Sequence, residues 1–162
     1  MRIALISDSH GRLPAALWGH LAGCDEILHL GDLGQAELLD DLGAVAPILA
    51  VGGNVDLPGL PELPPSRRLE RLGLVLHLRH EPWAAREIDG GETALYLHGH
   101  THLPRIVRDR EGYIVCPGSL QRPRGSFPAS LGLLDLSPER IALRIVPVEG
   151  SGTVADLILS RS

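Results

Sequence analysis

The sequence predicts an α/β fold: a parallel sheet flanked by helices, followed by a strand-rich second half packed against it. Three observations predict it. Within the first 51 residues, three short apolar runs alternate with two segments of helical periodicity. A proline-rich stretch, LPGLPELPP at 57–65, then excludes regular helix and central strand. After Thr101, apolar runs separated by turn residues dominate.

Taken in order, Arg2–Ile6 reads as a buried strand and Pro14–Leu21 as a short amphipathic helix. Glu26–Leu30 is a second strand, Ala36–Leu42 a second helix and Ile48–Val51 a third strand. The proline-rich stretch is a surface excursion within one domain, since neither flank is long enough for a core of its own. Leu69–Leu78 forms one or two strands broken near Gly73, a short helix surrounds Trp83–Ile88, and Ala94–Leu97 is a further strand. Arg105–Arg108, Tyr113–Cys116, Leu131–Leu136 and Ile141–Val148 complete the strands, with turns at Glu111-Gly112 and Ser137-Pro138. From Gly150 the tail reads equally as an ordered edge or a flexible end, so residues 1–162 make one domain with 150–162 as its open question.

Composition narrows the function. The net charge is −5, which offers no broad positive field to a nucleic-acid backbone. Trp18, Trp83, Tyr96, Tyr113 and Phe127 are the only aromatic side chains apart from histidine, too few for a base-stacking platform. All 15 basic residues are Arg. Without Lys, the chain can build neither a Walker-type phosphate loop nor a lysine Schiff base. Cys24 and Cys116 are too few for a disulfide framework or a thiolate zinc site. No apolar run is long enough to span a bilayer or form a signal-peptide core, so the expected compartment is the cytoplasm.

Chemistry-bearing residues follow the strands. Asp8 and His10 follow the first, Asp32 the second and Asn54 the third. His80 follows the strand ending near Leu78, and His100 and His102 follow the one ending at Leu97. In open α/β sheets, binding crevices form at the carboxyl ends of strands. If the chain stays extended there, residues two apart project to one side, which would let Asp8 converge with His10 and His100 with His102. Two carboxylates, four imidazoles and an amide suit Mn²⁺, Fe, Zn²⁺, Co²⁺ or Ni²⁺ better than the all-oxygen shells of Mg²⁺ or Ca²⁺. Seven ligands exceed what one ion needs; two ions sharing Asp32 account for the number.

The series Asp8-Ser-His10, Gly31-Asp32, Gly53-Asn54-Val-Asp56, His80, Gly99-His100-Thr-His102 and Pro117-Gly118-Ser119 resembles the calcineurin-like metallophosphoesterases, and Arg122-Pro-Arg124-Gly their small YfcE-type branch. The resemblance spans residues 1 to about 136. It implies a four-layer αββα sandwich of two packed sheets with flanking helices. It puts Asp8, His10, Asp32 and His102 on one divalent ion and Asp32, Asn54, His80 and His100 on the other, with Mn²⁺ as the first expectation for both. A hydroxide between the ions would attack phosphorus, with Asn54, Asp32 and His80 as the catalytic set. The implied reaction is hydrolysis of a small soluble phosphate ester, a diester in the first instance, with neither a membrane nor an extended nucleic acid as partner. The same fold also serves as a non-catalytic scaffold in the retromer subunit of eukaryotic cells, where residues of the metal set are replaced; that is the alternative.

Departures accompany the match. The family usually has His-Gly where this chain has His80-Glu81, and Asn-Pro-Gly-Ser where it has Cys116-Pro117-Gly118-Ser119. Larger relatives carry a His after the motif Asn; here that position is Val55. His20, His29, His77 and His98 read as packed or solvated residues, and Asp56 as a loop tie. Arg122 and Arg124 divide between phosphate contact, which suits guanidinium forks, and a solvated loop. Arg67, Arg68 and Arg71 read as an exposed strand face.

Overall fold

Alternation along each strand decides what it buries. The computed structural model describes residues 1–56, 63–88, 93–110 and 112–161. In β1 (Arg2–Ile6), Ala4 and Ile6 face one way and Ile3 and Leu5 the other, and all four are fully buried. The strand therefore lies between two cores. β2 (Glu26–His29) and β3 (Ile48–Ala50) run parallel to it, with Ile3 opposite Glu26 and Ile27 opposite Ile48. The helices α1 (Leu17–Leu21) and α2 (Glu37–Gly43) bring Leu17, Leu21 and Leu42 against Ala4, Ile6 and Ile27.

A second sheet contains β4 (Ser66–Arg71), β5 (Leu74–Arg79), β6 (Ala94–Leu97), β7 (Arg105–Asp109) and β8 (Gly112–Cys116), in the order β4-β5-β6-β8-β7. The β4–β5 hairpin turns on Leu72 and Gly73, both at positive φ (47° and 71°), the geometry whose twist matches the flanking strands. Between the sheets, Leu5, Leu28 and Leu30 meet Leu76, Leu78, Leu95 and Leu97. Each fully buried Leu contributes roughly 1.5–3 kcal/mol.

The sequence reading needs correction at several points. The second half does not form a sheet of its own. β9 (Ser130–Leu136), β10 (Arg140–Pro147) and β11 (Ala155–Ser160) join β1 to give a six-stranded sheet, β11-β10-β9-β1-β2-β3. Their alternating pattern states that they pair, not with which sheet. The tail beyond Gly150 thus contains an edge strand, β11, paired with β10 from Ala155 opposite Ile145 to Ser160 opposite Arg140. The first helix is confined to Leu17–Leu21. Around Trp83–Ile88 there is only a 3-10 turn, Ala85–Glu87, so the outer cover of the second sheet is thin among the described residues. Arg67 and Arg71 point inward from β4. Arg67 Nε donates to the Ala50 carbonyl (3.0 Å), and Arg71 forms a two-pronged pair with the buried Glu26 (2.6 and 2.8 Å), joining the sheets. The turn residue Glu111 and residues 57–62 of the proline-rich excursion lie outside the described residues.

Candidate metal centre

The parallel strands of both sheets end on one rim, and the backbone leaves them in an unusual way. Asp8, His10, Asp32, His100 and His102 all have left-handed φ, at 55°, 45°, 55°, 63° and 59°. For L-residues other than Gly that conformation costs about 1 kcal/mol or more each, and such strain gathers at functional sites. The expected cause of convergence, extended chain with two-residue spacing, is therefore corrected: sharp turns aim these side chains. Hydrogen bonds between the loops hold the turns, from Asp8 N–H to the Gly31 carbonyl (3.0 Å), His10 N–H to Asp32 (3.0 Å) and Gly11 N–H to Leu33 (2.7 Å). Two glycines permit the close packing. A Cβ on Gly53 would stand 2.3 Å from the Asp32 nitrogen, and one on Gly99 2.0 Å from Ser7 Oγ.

Asp8, His10, Asp32 and His102 form one group, each offering a ligand atom within 4.8 Å of the others. His102 Nδ1–H donates to the Arg122 carbonyl (2.6 Å), leaving Nε2 as a free lone pair 3.0 Å from Asp8 Oδ1. His80 does the same through Leu30: Nδ1–H donates to that carbonyl (2.8 Å), and Nε2 faces Asp32 Oδ1 at 3.3 Å. Neither imidazole–carboxylate contact is aligned as a hydrogen bond. Of the four buried side-chain atoms without a hydrogen-bond partner among the described residues, three lie here, Asp8 Oδ1, His10 Nε2 and His80 Nε2; the fourth is His29 Nδ1. Buried polar atoms are almost always paired, and three unpaired atoms in one cluster fit a divalent cation, which neutral imidazoles and carboxylates would hold together.

Asn54 and His100 complete the assembly on its solvent side. His100 Nδ1 lies 2.9 Å from Asn54 Oδ1, and the two rings of His80 and His100 are 5.2 Å apart, edge to face. The His100 side chain is 42% exposed, against 3% for His80. Asp32 faces both parts, with Oδ2 3.9 Å from His10 Nε2 and Oδ1 near His80. All seven residues singled out from the sequence thus gather at one rim.

Electrostatics set the metal-free protonation. Burial pushes the Asp8 carboxyl above its ordinary range, against the Ser7 hydroxyl (2.6 Å) and His102. Burial would also raise Asp32, but His80, the Val55 N–H (3.0 Å) and His10 outweigh it and hold that carboxyl at about 2. Burial lowers His10. It would lower His80 too, but Asp32 and the Leu30 carbonyl raise it.

The remaining histidines lie elsewhere. His77 stacks on Tyr96 (4.7 Å, 6° between planes). His20 Nε2–H donates to the Val148 carbonyl (3.0 Å), and His98 bonds Gly99 and Arg105. His29 Nε2 bonds Ser9 Oγ (2.9 Å), beneath the Asp8–His10 turn. Asp56 accepts from Gly34 and Gly53 (3.0 and 2.7 Å), which makes it a loop tie. Arg122 and Arg124 are exposed beside the site, and it is the backbone carbonyl of Arg122 that orients His102. Ser119, which carries no signal as a ligand, braces that loop by accepting from Arg122 N–H (3.0 Å) and donating to the Asp8 carbonyl (3.2 Å). A cleft of about 680 Å³ opens beside Asn54, lined by Pro65, Arg79, His80, Glu81 and Trp83.

Comparisons with known proteins bear on the family and the fold. The calcineurin-like phosphoesterase superfamily domain matches residues 1–139. A probable metallophosphoesterase of Methanocaldococcus jannaschii is 31% identical, covering 92% of this chain and 82% of its own length. The phosphodiesterase YfcE of Escherichia coli is 30% identical over 83% of this chain and 88% of its own; the solved structure of the E. coli Yfce phosphoesterase superposes with a TM-score of 0.80, at 26% identity, covering 97% of this chain and 98% of that one. Vacuolar protein sorting 29 from Cryptosporidium parvum shares the fold, with a TM-score of 0.78 at 19% identity, covering 99% and 98% of the two chains.

Proposed function

The chain belongs to the calcineurin-like phosphoesterase superfamily, and on that premise we propose that it hydrolyses a small soluble phosphodiester at a centre of two divalent ions. The observation that carries the reading is the trio of buried, unpartnered atoms, Asp8 Oδ1, His10 Nε2 and His80 Nε2. Leaving such atoms bare costs about 1–3 kcal/mol apiece, which a bound cation offsets. Asp8, His10, Asp32 and His102 hold one ion in this reading; Asp32, Asn54, His80 and His100 hold the other. Mn²⁺ is the first candidate, and the mixed imidazole and carboxylate donors also suit Zn²⁺, Fe, Co²⁺ and Ni²⁺. Bound divalent ions supply Lewis acidity toward the phosphoryl oxygens and a water ionised near neutral pH.

The protein's own residues prepare that chemistry. The Leu30 and Arg122 carbonyls fix His80 and His102 in the tautomer whose Nε2 lone pair faces inward. Asp32, already ionised, carries the negative charge shared between both halves. Arg122 and Arg124 stand at the rim where an anionic ester would arrive.

The likeness to vacuolar protein sorting 29 gives the scaffold reading its place, as a likeness of fold. The intact ligand set favours catalysis. Purified protein, stripped and reconstituted with Mn²⁺, Zn²⁺, Co²⁺ or Ni²⁺, is expected to bind two ions per chain and to hydrolyse members of a panel of mono- and diesters. A metal ratio near zero with no turnover of any ester selects the scaffold.

A further inference from the structure

Glu81 stands next to the histidine nearest the cleft, and nothing so far gives it a task. Its backbone is held firmly. Arg79 Nε donates to the Glu81 carbonyl (2.9 Å) and Arg79 Nη2 to the Pro82 carbonyl. Arg79 is itself fixed by a two-pronged pair with Glu87 (2.7 and 2.8 Å), and its guanidinium lies 3.9 Å over the Trp83 ring. Trp83 in turn donates from Nε1 to the Leu97 carbonyl (3.2 Å). The side chain of Glu81 leaves this fixed backbone toward the centre. Oε1 lies 3.5 Å from Asn54 Nδ2, and Oε2 lies 3.9 Å from His100 Nε2.

Each carboxylate oxygen therefore faces the outward nitrogen of one of the two most exposed members of the set. The chemistry of that contact is directional. An ionised carboxylate can only accept, so it draws the NH₂ side of the Asn54 amide outward and turns Oδ1 inward. Without an ion, His100 Nδ1–H donates to Asn54 Oδ1 (2.9 Å); a carboxylate near His100 Nε2 favours moving that hydrogen to Nε2, which frees Nδ1 and Asn54 Oδ1 together as lone pairs for an ion. His80 and His102 obtain the equivalent service from buried carbonyls. For Asn54 and His100, Glu81 supplies the outward acceptor.

We infer that Glu81 is a positioning residue for the Asn54–His100 half of the centre, orienting both side chains for the second ion. At 3.5 and 3.9 Å the contacts are long for direct hydrogen bonds, so they act by charge or through one bridging water, and the effect is graded. The inference rests on the two-ion reading above.

The test is calorimetric titration of the metal-free full-length protein with Mn²⁺, comparing wild type, Glu81→Ala and Glu81→Asp. Wild type is expected to take two ions. Glu81→Ala should take the first at unchanged affinity and the second about tenfold more weakly, and Glu81→Asp should recover part of that loss. Metal-free unfolding temperatures of the three proteins, expected to agree, show that the fold is intact. Two ions bound by Glu81→Ala as tightly as by wild type would overturn the assignment, as would equal weakening of both. Failure of the two-ion reading is visible separately: wild type itself would then bind fewer than two ions before any variant is considered.

Discussion

The two parts of the centre are built to different standards. Asp8, His80 and His102 are 0%, 3% and 6% exposed and are aimed by turns and carbonyls that leave lone pairs unspent. Asn54 and His100 face solvent and hydrogen-bond one another. The difference teaches where the folding energy went. The inner part has already been desolvated by folding, so an ion there would relieve a cost the protein already carries. The outer part satisfies itself when empty of a partner and must break its own hydrogen bond to bind one. Under the two-ion proposal, a tight and a weak position are the expected result of that contrast.

The largest expected effect comes from the residue that belongs to both parts. Asp32→Asn should reduce activity by roughly 10³-fold or more, because each half loses charge, whereas His102→Ala should cost about 10–100-fold. Rates at saturating Mn²⁺ decide it; equal residual activity would erase the distinction between a shared and a private ligand.

Among the described residues, neither Val55 nor Asp56 gives the outer part a proton donor for the departing alcohol. Val55 is 43% exposed beside Asn54 and cannot donate, and Asp56 is occupied by two backbone N–H groups. A placed acid is typically worth about 10²–10⁴-fold. Across esters differing only in leaving group, the rate should fall steeply as leaving-group pKa rises, with aryl esters fast and alkyl esters slow. A flat series, with chemistry limiting turnover, would reveal a donor on that side.

A smaller effect concerns His29, which supports the inner turn through Ser9. Burial lowers its imidazole to about 4, so between about pH 6.5 and 4 the unfolded chain binds a proton that the folded one refuses. Stability is therefore retained above that window and lost as pH falls through it, by on the order of 2–3 kcal/mol. Urea unfolding of metal-free protein should show this slope, and His29→Gln should flatten it. An unchanged slope would assign the acid sensitivity to His98, whose imidazole burial also lowers to about 4.

The smallest effect has an unusual sign. Asp8→Asn should stabilise the metal-free protein at neutral pH by about 1 kcal/mol, since it removes a buried charge and Asn tolerates left-handed φ. The folded-state carboxyl is raised, so ionised Asp8 costs stability above the ordinary carboxylate range and not below it. The gain should shrink toward pH 3. Destabilisation at pH 7 would mean that the inner part carries no stored cost.

Much of this was legible in the sequence, for identifiable reasons. β1 and β6 were placed to the residue because a short apolar run bounded by polar residues has few alternatives. The seven residues that gather at the rim stood out because each follows a strand. The allotment of β9 to the first sheet was not legible, since register and partner come from tertiary packing. Nor was the left-handed backbone at Asp8 or His102, since the enrichment of Asp and His in that conformation is only a tendency. Arg71 looked exposed because charge is usually solvated; its partner Glu26 lies 45 residues away. Glu81 was visible only as a departure from the family pattern, without the Arg79 staple that gives it a direction.

The bonds from Asp8, His10 and Gly11 to Gly31, Asp32 and Leu33 continue the β1–β2 ladder past the last strand residue. These amides should exchange with solvent deuterium as slowly as those inside β1, and open only when the sheet does. Turns fixed to the sheet in this way should move little to admit differently shaped substrates. Diversification of the chemistry therefore falls to the rim around Asn54, Glu81 and Arg122, where side chains can change without unpicking the ladder.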